Sequence, residues 1–191
     1  MGDSTTTKVA GGNELLNPER ILKDQLGLGN AHSVADLGAG GAGYFTLQAA
    51  KLVGEHGLVY AVDIIKGHLR NIESRAKIEG YDNIRTIWSN LEKYGATKIN
   101  DQSLDFALLV NVLFQNKKPE LLMKEAVRMI KTGGKLLVVD WRPGRFIFGP
   151  KPEDQVAQDR VRSIAEALGL HEIKSFEAGK FHYGIIFEKI I

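Results

Sequence analysis

The sequence predicts a three-layer α/β fold built on one mostly parallel sheet, and three observations predict it. Short apolar runs alternate with helix-like segments five times along the chain. The run Val34-Ala35-Asp36-Leu37 enters a glycine cluster, Gly38-Ala39-Gly40-Gly41-Ala42-Gly43, and a helical pattern starts at Tyr44. The chain closes on two apolar runs with only a short loop between them. A right-handed parallel crossover needs a dozen or more residues, so this last pair is antiparallel.

Residues 1–13 are polar and Gly/Thr-rich without a period, which reads as a flexible tail able to close over a ligand. Residues 14–191 read as a single domain. Asn17-Pro18-Glu19 opens a first helix, with Ile21, Leu22 and Leu26 on one face and Gly27 and Gly29 ending it. Strand one runs from His32 to Leu37. After the glycine turn, Phe45, Leu47, Ala50 and Val53 suit a buried helix stopped by Gly54 and Gly57. Leu58 to Val62 is the second strand and ends at Asp63; a helix follows over Gly67 to Glu79. Ile84 to Trp88 is the third strand. Leu104 to Val110 is the fourth, nearly all apolar, as a strand covered on both faces should be. Pro119 opens a helix that Gly133-Gly134 ends, and Lys135 to Asp140 is the fifth strand. A Pro/Gly-rich loop spans Trp141 to Pro152, and a helix covers Glu153 to Leu168. His171 to Phe176 and Tyr183 to Glu188 form the terminal hairpin.

Composition excludes several classes. A chain of 191 residues with 43% hydrophobic and 25% charged residues is ordinary for a globular protein. A net charge of +2 gives no general case for nucleic acid. With no cysteine there is no disulfide, thiolate metal site or thiol nucleophile. No apolar run approaches membrane-spanning length and no signal core is visible, so a cytoplasmic protein without a membrane partner is expected.

Parallel sheets of this kind bind ligands beyond the carboxyl ends of their strands. The glycine turn, Asp63, Ser89-Asn90, Val110-Asn111 and Asp140-Trp141 fall there. Gly38 to Gly43 fits the dinucleotide pattern G-x-G-x-x-G, and Asp63 stands twenty residues past Gly43. Three features oppose a dehydrogenase. Asp36 would repel a pyrophosphate, no length remains for a hydride-acceptor domain, and the antiparallel ending is foreign to the nicotinamide fold.

Those same features resemble the class I S-adenosylmethionine-dependent methyltransferases, and the small type 11 methyltransferases among them. The resemblance runs from about Asn17 to Lys189. It rests on Asp36-Leu37-Gly38-Ala39-Gly40 with Gly43-Tyr44-Phe45-Thr46, on Gly57 to Asp63, and on Lys131-Thr132-Gly133-Gly134-Lys135-Leu136. It implies a Rossmann-like sheet of seven strands in the order 3-2-1-4-5-7-6. It implies S-adenosylmethionine as cofactor and S-adenosylhomocysteine as product. Asp63 matches the acidic residue that hydrogen-bonds the ribose hydroxyls. Asp36, Gly38, Gly40 and Gly43 match the turn facing the methionine part, where a carboxylate suits a sulfonium and an ammonium. The resemblance also assigns cofactor binding to Tyr44, Ile64, Asn90, Leu91 and Asn111. Two departures stand out. The turn is one residue longer than Asp-x-Gly-x-Gly-x-Gly, because Gly41-Ala42 fills the space of one residue, and the extra residue should bulge outward. Asn90 replaces the usual aspartate, and its amide oxygen can still accept from an adenine amino group.

Methyl transfer needs alignment and dryness more than a catalytic group, and placement supplies roughly 7–11 kcal/mol of such a barrier. No catalytic residue is assigned. The five histidines show no metal spacing, and none is expected to bind metal. His32, His56, His68 and His171 read as surface residues; so does His182, with a general-base role as the alternative. Gln115 follows strand four beside Asn111. The loops at 89–102 and 141–152 and the tail are the places for an acceptor; Arg142, Arg145, Phe146, Phe148 and Lys151 lie in the second of these loops. A small-molecule acceptor is expected first. RNA or protein methylation, and a cofactor-binding protein without catalysis, remain as alternatives; nothing in the sequence speaks to oligomeric state.

Overall fold

A computed structural model of the chain describes residues 12–190. Residues 1–11 of the expected tail lie outside them. Seven strands form one sheet in the order β3-β2-β1-β4-β5-β7-β6. They are β1 Ser33–Leu37, β2 Leu58–Asp63, β3 Ile84–Trp88, β4 Leu104–Val110, β5 Ile130–Trp141, β6 Leu170–Gly179 and β7 His182–Lys189. The pairs among β1 to β5 are parallel, and β7 runs antiparallel to both β5 and β6. This is the order the resemblance implies.

The layers follow from alternation along the central strands. Ala107 and Leu109 of β4, with Leu136 and Val138 of β5, face one side. There they meet Leu122, Met123 and Ala126 of α3, Pro119–Met129, and Val161 and Ala165 of α4, Gln158–Ala167. Phe106, Leu108 and Val110 of β4, with Leu137 and Val139 of β5, face the other. They pack on Phe45, Ala49 and Val53 of α1, Tyr44–Val53, and on Ile21 and Leu22 near the start of the chain. Helix α2, Lys66–Glu79, covers β2 on that side through Ile72 against Ala61. Each large apolar side chain so buried contributes roughly 1.5–3 kcal/mol.

Three elements differ from the expectation. The first helix is wound as a π-helix over Arg20–Gln25, with the Leu26 N–H donating to the Ile21 carbonyl at 3.1 Å. Asn17 caps it as expected, accepting from the Arg20 N–H at 3.0 Å. Gly133-Gly134 does not end α3; the helix ends at Met129 and the glycines lie inside β5. They form a bulge: pairing steps from Leu104↔Ile130 to Phe106↔Lys135, and Gly133 takes a left-handed φ of 79°. The helix expected from Glu153 begins at Gln158 instead, after a short turn at Pro152–Asp154. Val156 between them is buried, and its carbonyl accepts from the Tyr183 hydroxyl at 2.8 Å, which draws this stretch out of helical geometry.

The parallel strands deliver their carboxyl ends to one edge of the sheet. The glycine turn, Asp63-Ile64, Ser89-Asn90, Asn111-Val112 and Asp140-Trp141 emerge side by side there. Among the described residues no helix is long and apolar enough to cross a membrane.

Candidate active site

A cleft of about 250 Å³ opens at this edge. Six of the residues singled out from the sequence line it: Gly38, Gly40, Asp63, Ile64, Asn90 and Leu91. The other four lie outside its lining. Asp36 is buried beneath the turn, Gly43 packs on Ile72, Tyr44 is exposed at the start of α1, and Asn111 is buried beside Asn13.

The turn is fastened to β2. The N–H groups of Gly38 and Ala39 both donate to the Val62 carbonyl, at 2.8 and 3.0 Å. The Gly40 N–H donates to Asp63 Oδ2 at 2.9 Å. Gly38 has φ 87°, and a Cβ built there would lie 2.7 Å from Val112 Cγ2 on the cleft wall. Gly38→Ala is therefore expected to cost about 1–2 kcal/mol for the left-handed backbone alone. It should also push Val112 aside, so both the melting temperature and the affinity for S-adenosylhomocysteine should fall; thermal melts and calorimetric titration check this. Gly41 stands against His68, and the Ala42 carbonyl accepts from the Arg75 guanidinium of α2. Neither residue lines the cleft.

Asp63 is nearly buried and heavily engaged. Among the described residues Oδ1 accepts only the Ile65 N–H, at 2.8 Å, while Oδ2 takes the Gly40 N–H and faces His68 Nδ1 at 3.2 Å. Asn90 Oδ1 accepts the Glu92 N–H at 2.9 Å. Ser89 is buried in the lining, and its hydroxyl has no partner among the described residues. Ile64, Leu91 and Val112 supply apolar wall.

Asp36 is 2% exposed and accepts the Thr46 hydroxyl at 2.6 Å. Burial pushes its carboxyl up from 3.8 to about 6; the Thr46 hydroxyl opposes the rise and the Asp63 charge adds to it. The fold thus favours the protonated acid. Its contribution to stability is complete below 3.8 and is lost as pH rises through about 6. Asp36→Asn should leave the melting temperature nearly unchanged at pH 3.5 and raise it at pH 8 by an amount worth on the order of 3 kcal/mol, as paired melts would show. Asp140, wholly buried, accepts the N–H groups of Leu113, Phe114 and Trp141 at 3.1, 3.3 and 2.8 Å. Burial lifts its carboxyl to about 7.

His182 is 0% exposed and not a surface residue, because β7 starts beneath Trp141 and the Gly12–Leu16 stretch. His68, read from the sequence as a surface residue, and Val112, not singled out, both line the cleft. His68 follows Asp63 by five positions, in the first turn of α2, and that spacing could have flagged it.

The strand order, the glycine turn after β1 and the carboxylate after β2 define a class I S-adenosylmethionine-dependent methyltransferase by fold. Residues 28–183 match the profile of the methyltransferase-domain family, and the chain belongs to that family. An S-adenosylmethionine-dependent methyltransferase of Aquifex aeolicus superposes with a TM-score of 0.83 at 27% identity, over 94% of this chain and 93% of that one. The ubiquinone/menaquinone biosynthesis C-methyltransferase UbiE of Yersinia pestis (strain Pestoides F) is 29% identical over 168 residues, 80% of this chain. The match spans only 65% of that relative's length. The [4+2]-cyclase SpnF shares the fold with a TM-score of 0.75 at 12% identity, over 91% of this chain and 80% of its own. The fold alone therefore does not name the reaction.

Proposed function

We propose that this protein transfers the methyl group of S-adenosylmethionine to a small-molecule acceptor. The observation that carries the reading is the cleft where the Gly40 turn, the Asp63 carboxylate and the unpartnered Ser89 hydroxyl meet an apolar wall.

The donor set suits such a cofactor. Asp63 Oδ1 has an acceptor position open to a ribose hydroxyl, since among the described residues it accepts only the Ile65 N–H. The Ser89 hydroxyl is buried without a partner among the described residues and gains one from a polar ligand atom. Ile64, Leu91 and Val112 flank the space for a flat base, and Asn90 stands beside them to accept from an amino group. Gly38 and Gly40 let the main chain approach the ligand closely. Asp36 and Gly43 act through the turn they support, one through Thr46 and the other by packing on Ile72. Tyr44 and Asn111 act at the margin. When bound, S-adenosylmethionine supplies a methyl carbon on a sulfonium: the acceptor's lone pair forms the new bond while the carbon–sulfur pair stays with sulfur. The chain's own residues hold the reactants aligned and exclude water.

The small-molecule acceptor is supported by the activity for which the UbiE relatives are named, C-methylation in ubiquinone/menaquinone biosynthesis. The test is transfer of labelled methyl from S-adenosylmethionine in the presence of a small-molecule extract, RNA and protein fractions. Label in the low-mass fraction is expected. Label confined to RNA or protein would contradict the acceptor class. Absence of transfer to any fraction, by protein that binds S-adenosylhomocysteine, would contradict transfer itself and leave a binding protein.

A further inference from the structure

Beyond the cleft, the ends of β4, β5 and β7 hold a group of buried polar atoms with no partner among the described residues. Among them are Asn111 Oδ1, Trp141 Nε1, and both ring nitrogens of His182, with Arg142 Nε beside them. Asn111, Trp141 and His182 are 2%, 1% and 0% exposed. A buried polar atom left without a partner is unfavourable, so several in one place form an arrangement that a ligand would relieve.

They belong to one place. Trp141 and His182 are paired across β5 and β7, with ring centroids 4.4 Å apart. Gly12 lies directly on both: a Cβ built on it would fall 2.6 Å from Trp141 Cζ2 and 3.1 Å from His182 Nε2. The next residue, Asn13, accepts from Asn111 Nδ2 at 2.8 Å. Asn111 in turn adjoins the cleft, since its carbonyl accepts from Gln115 Nε2 at 2.7 Å and Gln115 lines the cleft. Asn111 also has a left-handed φ of 54°, which is uncommon outside glycine and recurs where a side chain must be aimed. The stretch Gly12–Leu16 therefore forms a strap across polar atoms that it does not satisfy.

We propose that Trp141, His182 and Asn111 wall the acceptor chamber, that the Gly12–Leu16 strap fills it when no acceptor is bound, and that His182 takes the proton from a hydroxyl on a flat aromatic acceptor. This rests on the methyl-transfer reading above.

The chemistry of the walls selects that class. Trp141 lies within a cluster of rings, 6.0 Å from Phe146, 6.2 Å from Phe148 and 6.3 Å from Phe181 between centroids, and such a wall favours a flat ring. A hydroxyl suits the donor and acceptor set: its proton goes to an imidazole nitrogen, and its oxygen accepts from Trp141 Nε1. Charge disfavours an ammonium acceptor. Arg142, whose guanidinium bonds Glu177 and the Gly179 and Lys180 carbonyls, adds positive potential at His182. Asp140 does not offset it, because its oxygens face the main-chain N–H groups of Leu113, Phe114 and Trp141. Burial, and secondarily Arg142, hold the His182 imidazole down at about 4, so it is neutral at pH 7 with a lone pair to offer.

The step balances. The hydroxyl oxygen forms the bond to the methyl carbon as the carbon–sulfur bond breaks toward sulfur. The hydroxyl proton passes to His182 Nε2, the nitrogen facing Gly12. One positive charge leaves sulfur and one appears on imidazole, so the net charge is unchanged across the step.

Catechol and 2-naphthol serve as hydroxylated probes, with 1,2-dimethoxybenzene as the comparator that has no proton to lose. The wild type should methylate the hydroxylated probes alone. His182→Gln should lower kcat at pH 7 about 100-fold or more, with the deficit shrinking as pH rises and the probe ionises unaided. Its affinity for S-adenosylhomocysteine should stay within about twofold. In ¹⁵N-histidine-labelled protein holding S-adenosylhomocysteine, catechol should shift the His182 ring resonances. In a Trp88→Phe background, Gly12→Val should unseat the strap and raise quenching of Trp141 by acrylamide. Unmoved His182 resonances, full activity of His182→Gln at pH 7, or transfer by the wild type to neither hydroxylated probe while S-adenosylhomocysteine binds would each overturn the proposal. Failure of the wild type to bind S-adenosylhomocysteine would overturn the underlying methyl-transfer reading, and this proposal with it.

Discussion

Replacing Asp63 with alanine is expected to weaken binding of S-adenosylmethionine at least about a hundredfold. Hydrogen bonds to a charged group contribute about 1.5–3 kcal/mol each, and the carboxylate would serve the ribose while also holding the pocket in shape. Its two oxygens fasten Gly40 at the turn and Ile65 at the entrance to α2. Alanine removes the ligand's acceptor and both clamps together. Asp63→Asn should be intermediate: one side of the amide still accepts, but its NH₂ faces a main-chain N–H and repels it. Equilibrium dialysis with labelled cofactor, beside circular dichroism to confirm folding, reads the effect. Wild-type affinity in Asp63→Ala would place the ribose elsewhere.

Arg128→Ala should be the most destabilising of the changes considered, at about 3–5 kcal/mol, because it strands a buried carboxylate. Glu125 is 0% exposed. It accepts from the Arg128 guanidinium at 2.8 Å, the Thr97 hydroxyl at 2.6 Å and the Gly95 N–H at 2.7 Å. Burial alone would raise the Glu125 carboxyl; Arg128, Thr97 and Gly95 outweigh it and hold the group below its usual 4.5. The stability this supplies is present above pH 4.5 and is lost as pH falls through the lowered value. The gap between wild type and Arg128→Ala should therefore be widest at neutral pH and close in acid. Arg128 also donates to the Ile99 carbonyl at 2.8 Å and pairs with Asp101, fastening α3 to the loop between β3 and β4. That loop begins with Ser89, Asn90 and Leu91 of the cleft, so the variant should lose cofactor affinity as well as stability. Glu125→Gln with Arg128→Met leaves no unpaired charge and should cost less than Arg128→Ala alone. Urea midpoints across pH 4 to 8 measure the series.

The strands and the ligand edge were legible in the sequence for a local reason, and the strand order came with the resemblance to the methyltransferases. Each strand that ends in a turn at the ligand edge carries its own marker, such as the glycines after Leu37 or Asp63 closing β2. Where local markers mislead, tertiary context decides. Gly133-Gly134 reads as a helix stop, yet pairing of Ile130 with Leu104 draws the glycines into a strand bulge. The stretch after Pro152 reads as helix, yet Tyr183 takes the Val156 carbonyl for its hydroxyl. His182 starts a strand and so reads as surface, but its burial comes from Gly12 and Trp141, distant in the chain. The partnership of Glu125 with Thr97 and Gly95 likewise joins segments that no periodicity connects. Contacts across the fold, rather than patterns along it, set the parts of the site that lie outside the glycine turn.

The most direct test of the central claim is calorimetric titration of the wild-type protein with S-adenosylhomocysteine. One-to-one binding in the micromolar range is expected, with heats absent for NADH in a parallel titration. A folded protein giving no heat with S-adenosylhomocysteine or S-adenosylmethionine would contradict the account, and the family fold would then serve another ligand.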